Sequence, residues 1–469
     1  MCHFSMSNTV DWSVSIAGEC MVTRPFSMHA ETEFHEVREL FGNSDVAYAH
    51  LEMNFGEPAA LYPGRGDWYG SYMLADPGIA RDLRWLGVDV MSTANNHSLD
   101  FGERGLLATL AACRGAGLSV TGTGPDLDAA RAPVYVETPK GRLALISTTS
   151  GNRPHEWAGR PKETMVGRPG INPLRTNWTY VVPGEVARQL RTAAGGLNIL
   201  RTHENCGPGK TGRVLAENEF QFTLPGGQSA AGELVFQEGE EFGIITECHP
   251  GDLAGNLRSI RSAAAMADLV MVAHHFNISE GPRGDRPPRF VREFAHRAIE
   301  AGADIFVGHG WHKTMGIEIY RGKPIFYGLG NFFAQSEFLE HVPYDSYETW
   351  GHDVEALATL TPDLQPLHPG LDGPSETWWS SAVIKVQLTD GRLTGVTLHP
   401  VELGREVSKE AKITRQTGKS VEHPLTDGRP LIADQNNGAR VLERYQRLSA
   451  EYNTPIEIDG RVGILRIED

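Results

Sequence analysis

Cysteine is scarce in this 469-residue chain: five residues (Cys2, Cys20, Cys113, Cys206, Cys248), odd in number and without a Cys-x-x-Cys pair. That excludes a disulfide framework and points to a reducing compartment. Long apolar runs are missing too, with no stretch of about 18 residues that a spanning helix would need. The first residues, Met1-Cys2-His3-Phe4-Ser5, lack the basic region and apolar stretch of a secretory leader. Together these absences predict a cytoplasmic protein with no membrane span. Positive charge is short as well, with 43 Lys and Arg against 59 Asp and Glu and a formal net charge of −16. Such a balance argues against non-specific binding to nucleic acid or to an anionic membrane surface. It leaves room for an anionic substrate, because a local metal or arginine cluster outweighs a distant field. No repeat or low-complexity segment stands out.

What is present is ordinary globular material, 40% hydrophobic and 22% charged. Residues 12–150 alternate strand and helix patterns, and the alternation resumes at 252–335. This order predicts an α/β fold with a largely parallel core. We read 1–150 as the first half of that core and 251–335 as the second half. Residues 336–469 read as a C-terminal extension with strands and a terminal helix. Between the halves, 151–250 is rich in Gly, Pro and polar residues, with a helical piece near Gly184–Thr192 and few strong strands. Long intervening segments of this kind commonly carry function, so it reads as an insertion or lid.

Chemistry collects where the apolar runs stop. Five strand-like segments end in metal-binding or acid/base residues: Gly18-Glu19, His50-Leu51-Glu52, Asn95-Asn96-His97 with Asp100, His274-His275, and His309-Gly310-Trp311-His312. Carboxyl ends of strands are where ligands bind in open α/β sheets. A two-metal hydrolase needs a bridging carboxylate, further oxygen and imidazole ligands, and an acid for the leaving group. Glu19, Glu52, Asn96, His275, His309 and His312 supply the first two, and His97 the third. Counting along the strand from Asp268 turns His275 to one face and His274 to the other. Asn331 fits either a turn or the site. Arg24 fits either a surface ion pair or a bidentate anion contact, with Arg65, Arg153 and Arg283 weaker versions of the same idea. Gly207-Pro208-Gly209-Lys210-Thr211 is not a phosphate loop, because Glu204 stands where that motif needs glycine.

The same stretches resemble the CapA family of bacterial polyglutamate capsule biosynthesis proteins, a branch of the calcineurin-like metallophosphoesterase superfamily. The resemblance rests on Gly18-Glu19, Leu51-Glu52, Asn95-Asn96-His97-Ser98-Leu99-Asp100-Phe101-Gly102, Gly308-His309-Gly310-Trp311-His312 and Pro324-Ile325-Phe326-Tyr327-Gly328-Leu329-Gly330-Asn331-Phe332. It implies a layered sandwich of two central mixed sheets flanked by helices. It also implies one or two divalent transition metal ions (Mn, Fe or Zn) bridged by Glu52. Asn96, His275 and His309 would complete one shell, and Glu19 and His312 the other. His97 would be the general acid, oriented by Asp100. The implied reaction is attack by a metal-held hydroxide on a phosphoester or an amide, the γ-glutamyl bond included. The substrate would be a small molecule or an oligomer; the oligomeric state is open. Two other classes fit the residues: a metal-dependent lyase on a small, aromatic substrate, and a non-catalytic capsule-biosynthesis accessory protein. Three departures from the family pattern bear on the metals. Glu19 stands where the family usually has Asp, Met21 where the superfamily has His, and Gly310 where many members have another His. The histidine missing at Met21 thins the shell of the first metal.

Overall fold

The structure is a computed structural model that describes residues 10–57, 64, 72–204, 214–223, 234–281, 284–335, 343–344, 347, 376–404 and 428–467. Arg65, Arg283 and the segment 207–211 lie outside these residues.

Continuous apolar runs become strands buried on both faces. Leu269–Phe276 is buried at all eight positions, and Val46–Leu51 at all six. Such strands belong in the interior of a sheet covered on both sides. Among the described residues, one sheet has ten strands. Eight run in the order Ile456–Asp459, Val462–Leu465, Arg392–Glu402, Ser380–Thr389, Asp11–Met21, Val46–Leu51, Val90–Ser92, Ser119–Thr121, and Leu431–Ile432 pairs with Arg392–Glu402 off this path. The four strands from Asp11 to Thr121 are parallel, and Ser380–Thr389 joins Asp11–Met21 antiparallel. A short strand, Asn331–Ala334, takes over the same edge of Asp11–Met21 beyond Ile16. A second sheet of six strands runs Ile317–Tyr320, Lys323–Phe326, Ile305–His309, Leu269–Phe276, Gly141–Ser150, Val134–Thr138. The parallel centre expected from the alternation is therefore present, with antiparallel strands added at the margins.

One cluster joins the two sheets. Trp12, Val14, Ile16, Val46, Tyr48 and Val90 from the first pack with Leu143, Leu145, Leu269, Met271, Ile305 and Val307 from the second. A separate cluster lies on the other face of the ten-stranded sheet. There Ala47, Ala49 and Leu51 meet Phe34, Val37 and Phe41 of helix Thr32–Gly42, Ile79 and Leu83 of helix Ile79–Leu86, and Leu106 and Leu110 of helix Gly102–Gly115. Those helical positions recur three and four apart, the spacing that turns one stripe to a core.

The chain divides into two compact units. One comprises Met1–Leu174, Gly251–Pro287 and Phe294–Asp469, and the other Arg175–Pro250 with Pro288–Glu293. The second unit holds more strand than its composition suggested: five strands in the order Leu200–Thr202, Glu219–Phe222, Leu234–Gly239, Thr176–Pro183, Gly243–Cys248. Its helix, Gly184–Gly196, lies against a small core of Val182, Ala187 and Phe220 with Phe222 and Phe236. Strands of three to six residues separated by turns carry little periodic signal, so four of these five escape a window read for alternation.

Candidate metal centre

The site is built from two rows of residues at the same level. Across the ten-stranded sheet the register pairs Asn331 with Glu19, Glu19 with His50, and His50 with Ser92. Across the six-stranded sheet it pairs Thr149 with His275 and His275 with His309. Tyr48, His50 and Glu52 alternate along one strand and its end, so the first two share the face turned to the second sheet.

Close approach at the end of strand Asp11–Met21 depends on glycine. A Cβ on Gly18 would come within 1.8 Å of the Gly330 carbonyl oxygen, and the Glu19 N–H donates to that same oxygen at 3.0 Å. The last loop depends on glycine too. Gly310 has φ +109°, and its N–H donates to Glu19 Oε1 at 2.5 Å. His312, at φ +56°, is in the left-handed region that a non-glycine residue adopts only when its surroundings hold it there. Its ring lies against Trp378, with centroids 4.6 Å apart.

Glu52 is the centre. Its carboxylate is fully buried, and neither oxygen has a hydrogen-bond partner. Around Oε1 stand His275 Nε2 and His312 Nε2, each at 3.7 Å. His275 Nε2 lies 2.8 Å from Asn96 Oδ1. His312 Nδ1 lies 2.6 Å from Glu19 Oε2 and 2.9 Å from Asn331 Oδ1. Two triads have ligand atoms close enough to hold one ion: His50, Glu52 and His275, and Glu19, Glu52 and His312. His309 stacks on His50, with centroids 4.5 Å apart and planes 12° apart; its Nδ1 is buried without a partner.

The electrostatics are those of a site that could hold a cation. Burial raises the Glu52 carboxyl to about 7, opposed by His312 and reinforced by Glu19. Burial lowers His50, His275 and His309 well below the usual imidazole range, and neighbouring histidines push the same way. Burial alone would also lower His312, but the Glu19 and Glu52 carboxylates outweigh it and carry the ring to about 10. A buried carboxylate without donors costs several kcal/mol. Neutral imidazoles at His50, His275 and His309 beside bare carboxylate oxygens are what a divalent transition ion needs, and His312 would release its proton to join them. The donor set fits.

Of the residues singled out from sequence, the structure thus brings Glu19, Glu52, Asn96, His275, His312 and Asn331 within direct reach of one another. His309 reaches the group through His50. His97 Nδ1 is 2.7 Å from Asp100 Oδ2, which also accepts the Met73 N–H at 2.8 Å. His274 turns away, bonded to Thr148 Oγ1 at 2.6 Å. Arg24 sits on the loop after the first strand, its backbone N–H held by Gln335 Oε1 at 3.1 Å.

Several contributors were given no role from the sequence. Asn95 shapes the loop: its Oδ1 accepts the His97 N–H, and its side-chain amide donates to the Leu51 carbonyl. His50 belongs to the first triad, and Ser92 and Tyr48 link it to His309 through hydrogen bonds. The one signal for them was the period of two in Tyr48-x-His50-x-Glu52. Trp378 had none, being separated from His312 by more than sixty residues of sequence.

Comparisons with known proteins agree on one family. The model for "bacterial capsule synthesis protein PGA_cap" matches residues 13–336. The protein y4sH of Sinorhizobium fredii is 30% identical over 98% of this chain and 94% of its own length. A probable polyglutamine synthesis accessory protein of Mycobacterium tuberculosis is 30% identical over 52% of this chain and 44% of its own. The PGA biosynthesis protein CapA of Bacillus subtilis is 40% identical over 18% of this chain and 21% of its own length. The matched span contains every residue of the carboxylate–imidazole cluster, and the chain belongs to the bacterial capsule synthesis protein family that includes CapA.

Proposed function

We propose that the chain is a metal-dependent hydrolase acting on a phosphoester or an amide such as a γ-glutamyl bond. The Glu52 carboxylate carries the reading: it is buried, has no hydrogen-bond donor, and faces imidazole nitrogens on two sides. Asn96, His275 and His309 would hold one ion with Glu52, and Glu19 and His312 a second. Oxygen and nitrogen donors without thiolate suit Mn, Fe or Zn. A bound ion would supply Lewis acidity to the scissile group and acidify an attacking water.

The chain's own residues do the rest. His97 gives its Nδ1–H to Asp100, which leaves Nε2 to deliver a proton to the departing oxygen or nitrogen. Asp100 is held in turn by the Met73 N–H, so the imidazole keeps its orientation. We read the two facing sheets with outer helices as the metallophosphatase-like sandwich the family resemblance implies. Among the described residues, Cys20, Cys113 and Cys248 are buried as thiols, which suits a reducing, cytoplasmic setting. No helix among the described residues is long and apolar enough to cross a membrane.

One observation favours a second reading, an accessory protein with little turnover. Glu19 is already engaged by the Gly310 N–H and by His312, so its half of the site is closed on itself. The name of the M. tuberculosis relative points the same way. Elemental analysis of protein purified without added metal or chelator, on wild type and His309→Ala, separates the two readings when followed by bis(p-nitrophenyl) phosphate and γ-glutamyl p-nitroanilide assays. Transition metal that falls in the variant, with turnover of either substrate, supports the hydrolase. Metal without turnover supports the accessory reading, and no metal after reconstitution with Mn, Fe or Zn overturns the hydrolase and leaves the accessory protein.

A further inference from the structure

Behind the ligands runs a buried chain of side chains to which the hydrolase reading gives no role. His275 Nδ1 lies 3.0 Å from His50 Nε2, and His50 Nδ1 lies 2.6 Å from Ser92 Oγ. Ser92 Oγ is 2.6 Å from the Tyr48 hydroxyl, which is 2.8 Å from His309 Nε2. All five residues are buried, and the His50 ring stacks on both His275 and His309, at 4.9 and 4.5 Å between centroids. The chain therefore begins on the rear nitrogen of one histidine ligand and ends on the rear nitrogen of the other. We propose that His50, with Ser92 and Tyr48, is a positioning residue that fixes the tautomers of His275 and His309 and ties the two sheets at the metal. This rests on the metal reading above.

The proton inventory supports it. A neutral imidazole carries one hydrogen, so a ring that offers a lone pair to a metal must donate from its other nitrogen. For His275 to present Nε2, Nδ1–H must donate to His50 Nε2; His50 then donates Nδ1–H to Ser92 Oγ. For His309 to present Nδ1, Nε2–H must donate to the Tyr48 hydroxyl. Both donor directions meet at Tyr48 and Ser92, where each hydroxyl accepts from an imidazole and one donates to the other. The scheme leaves as lone pairs His275 Nε2, which faces Glu52 and Asn96, and His309 Nδ1, which has no other partner. With His275 Nε2 protonated, by contrast, the ring donates to Asn96 Oδ1.

The test is a cobalt titration of chelator-treated full-length protein, followed by visible d–d absorption, a signature that a loss of packing alone would not produce. His50→Phe keeps a ring for stacking and removes both nitrogens. It should weaken cobalt binding by about tenfold to a hundredfold and shift the d–d bands. His50→Gln, whose amide can still accept from His275, should recover part of the affinity. Tyr48→Phe, which removes one oxygen, should weaken binding from the His309 side and decides the matter should His50→Phe fail to fold. Wild-type affinity and spectrum in His50→Phe and Tyr48→Phe would overturn the proposal. His309→Ala is the control for the metal reading itself. If it loses cobalt while those two variants do not, only the positioning role fails; if it too binds as wild type does, or wild type takes up no cobalt, the metal reading fails with it.

Discussion

Replacing Glu52 by glutamine should make the metal-free protein more stable at pH 8 while destroying its ability to bind metal. The carboxyl is held at about 7 against an ordinary value of 4.5. The sign follows from proton counting: between those values the folded state keeps a proton the unfolded state has released. The stability this retained proton confers is present at low pH and lost as pH rises from 4.5 through 7. Above 7 the buried group is ionised and its full cost, about 3 kcal/mol from the size of the shift, is felt. Glutamine has nearly the same shape and no charge. Its amide still lacks partners, at about 1 kcal/mol, so the net gain is about 2 kcal/mol. For a chain of 469 residues the unfolding entropy makes that a rise of about 2 °C in Tm. The assay is thermal unfolding in excess EDTA, wild type against Glu52→Gln, at pH 8 and at pH 5, with and without Mn2+. The advantage of the variant should shrink towards nothing at pH 5, and Mn2+ should raise only the wild type. A variant equally stable or less stable at pH 8 would refute the claim that burial of the Glu52 charge outweighs its attraction to His312.

Other outcomes follow from the same geometry. His97→Ala should retain its metal by elemental analysis and lose turnover by about a hundredfold to ten-thousandfold, whereas Asp100→Asn should lose less turnover and also some stability, because Asp100 anchors the Met73 N–H. Gly18→Ala drives a Cβ into the Gly330 carbonyl and should lower Tm by several degrees and reduce metal uptake, read by calorimetry and elemental analysis. His274 is held by burial at about 3, below the ordinary 6.5. Only the unfolded state takes its proton between those values, so stability falls as pH drops through that window. His274→Gln should remove about one proton from the slope of stability against pH between 4 and 6, measured by urea unfolding.

Much of the core was legible because parallel strands buried on both faces leave unbroken apolar runs, as in Leu269-Val270-Met271-Val272-Ala273, and a polar residue ending such a run has only the sheet edge to occupy. Asn331 was ambiguous because its place depends on Gly330 lying over Gly18, a contact between residues more than three hundred apart. Residues acting from within strands were illegible for a different reason: Tyr48, His50 and Ser92 look like sheet interior until the second sheet is placed opposite them. The small sheet of the second unit was hidden by brevity, although Phe220-x-Phe222 carries the alternation.

The strand that delivers Glu19 is flanked at its lower half by Ser380–Thr389 and at its upper half by Asn331–Ala334. The candidate metal ligands end at His312, yet roughly seventy more residues must be made before that edge can close and Trp378 can meet the His312 ring. Pairings of such sequence separation form late in folding. If the site binds metal as proposed, a truncation ending just after Asn331 would keep every donor but lose the strand beside that of Glu19 and the ring against His312, and should bind metal more weakly.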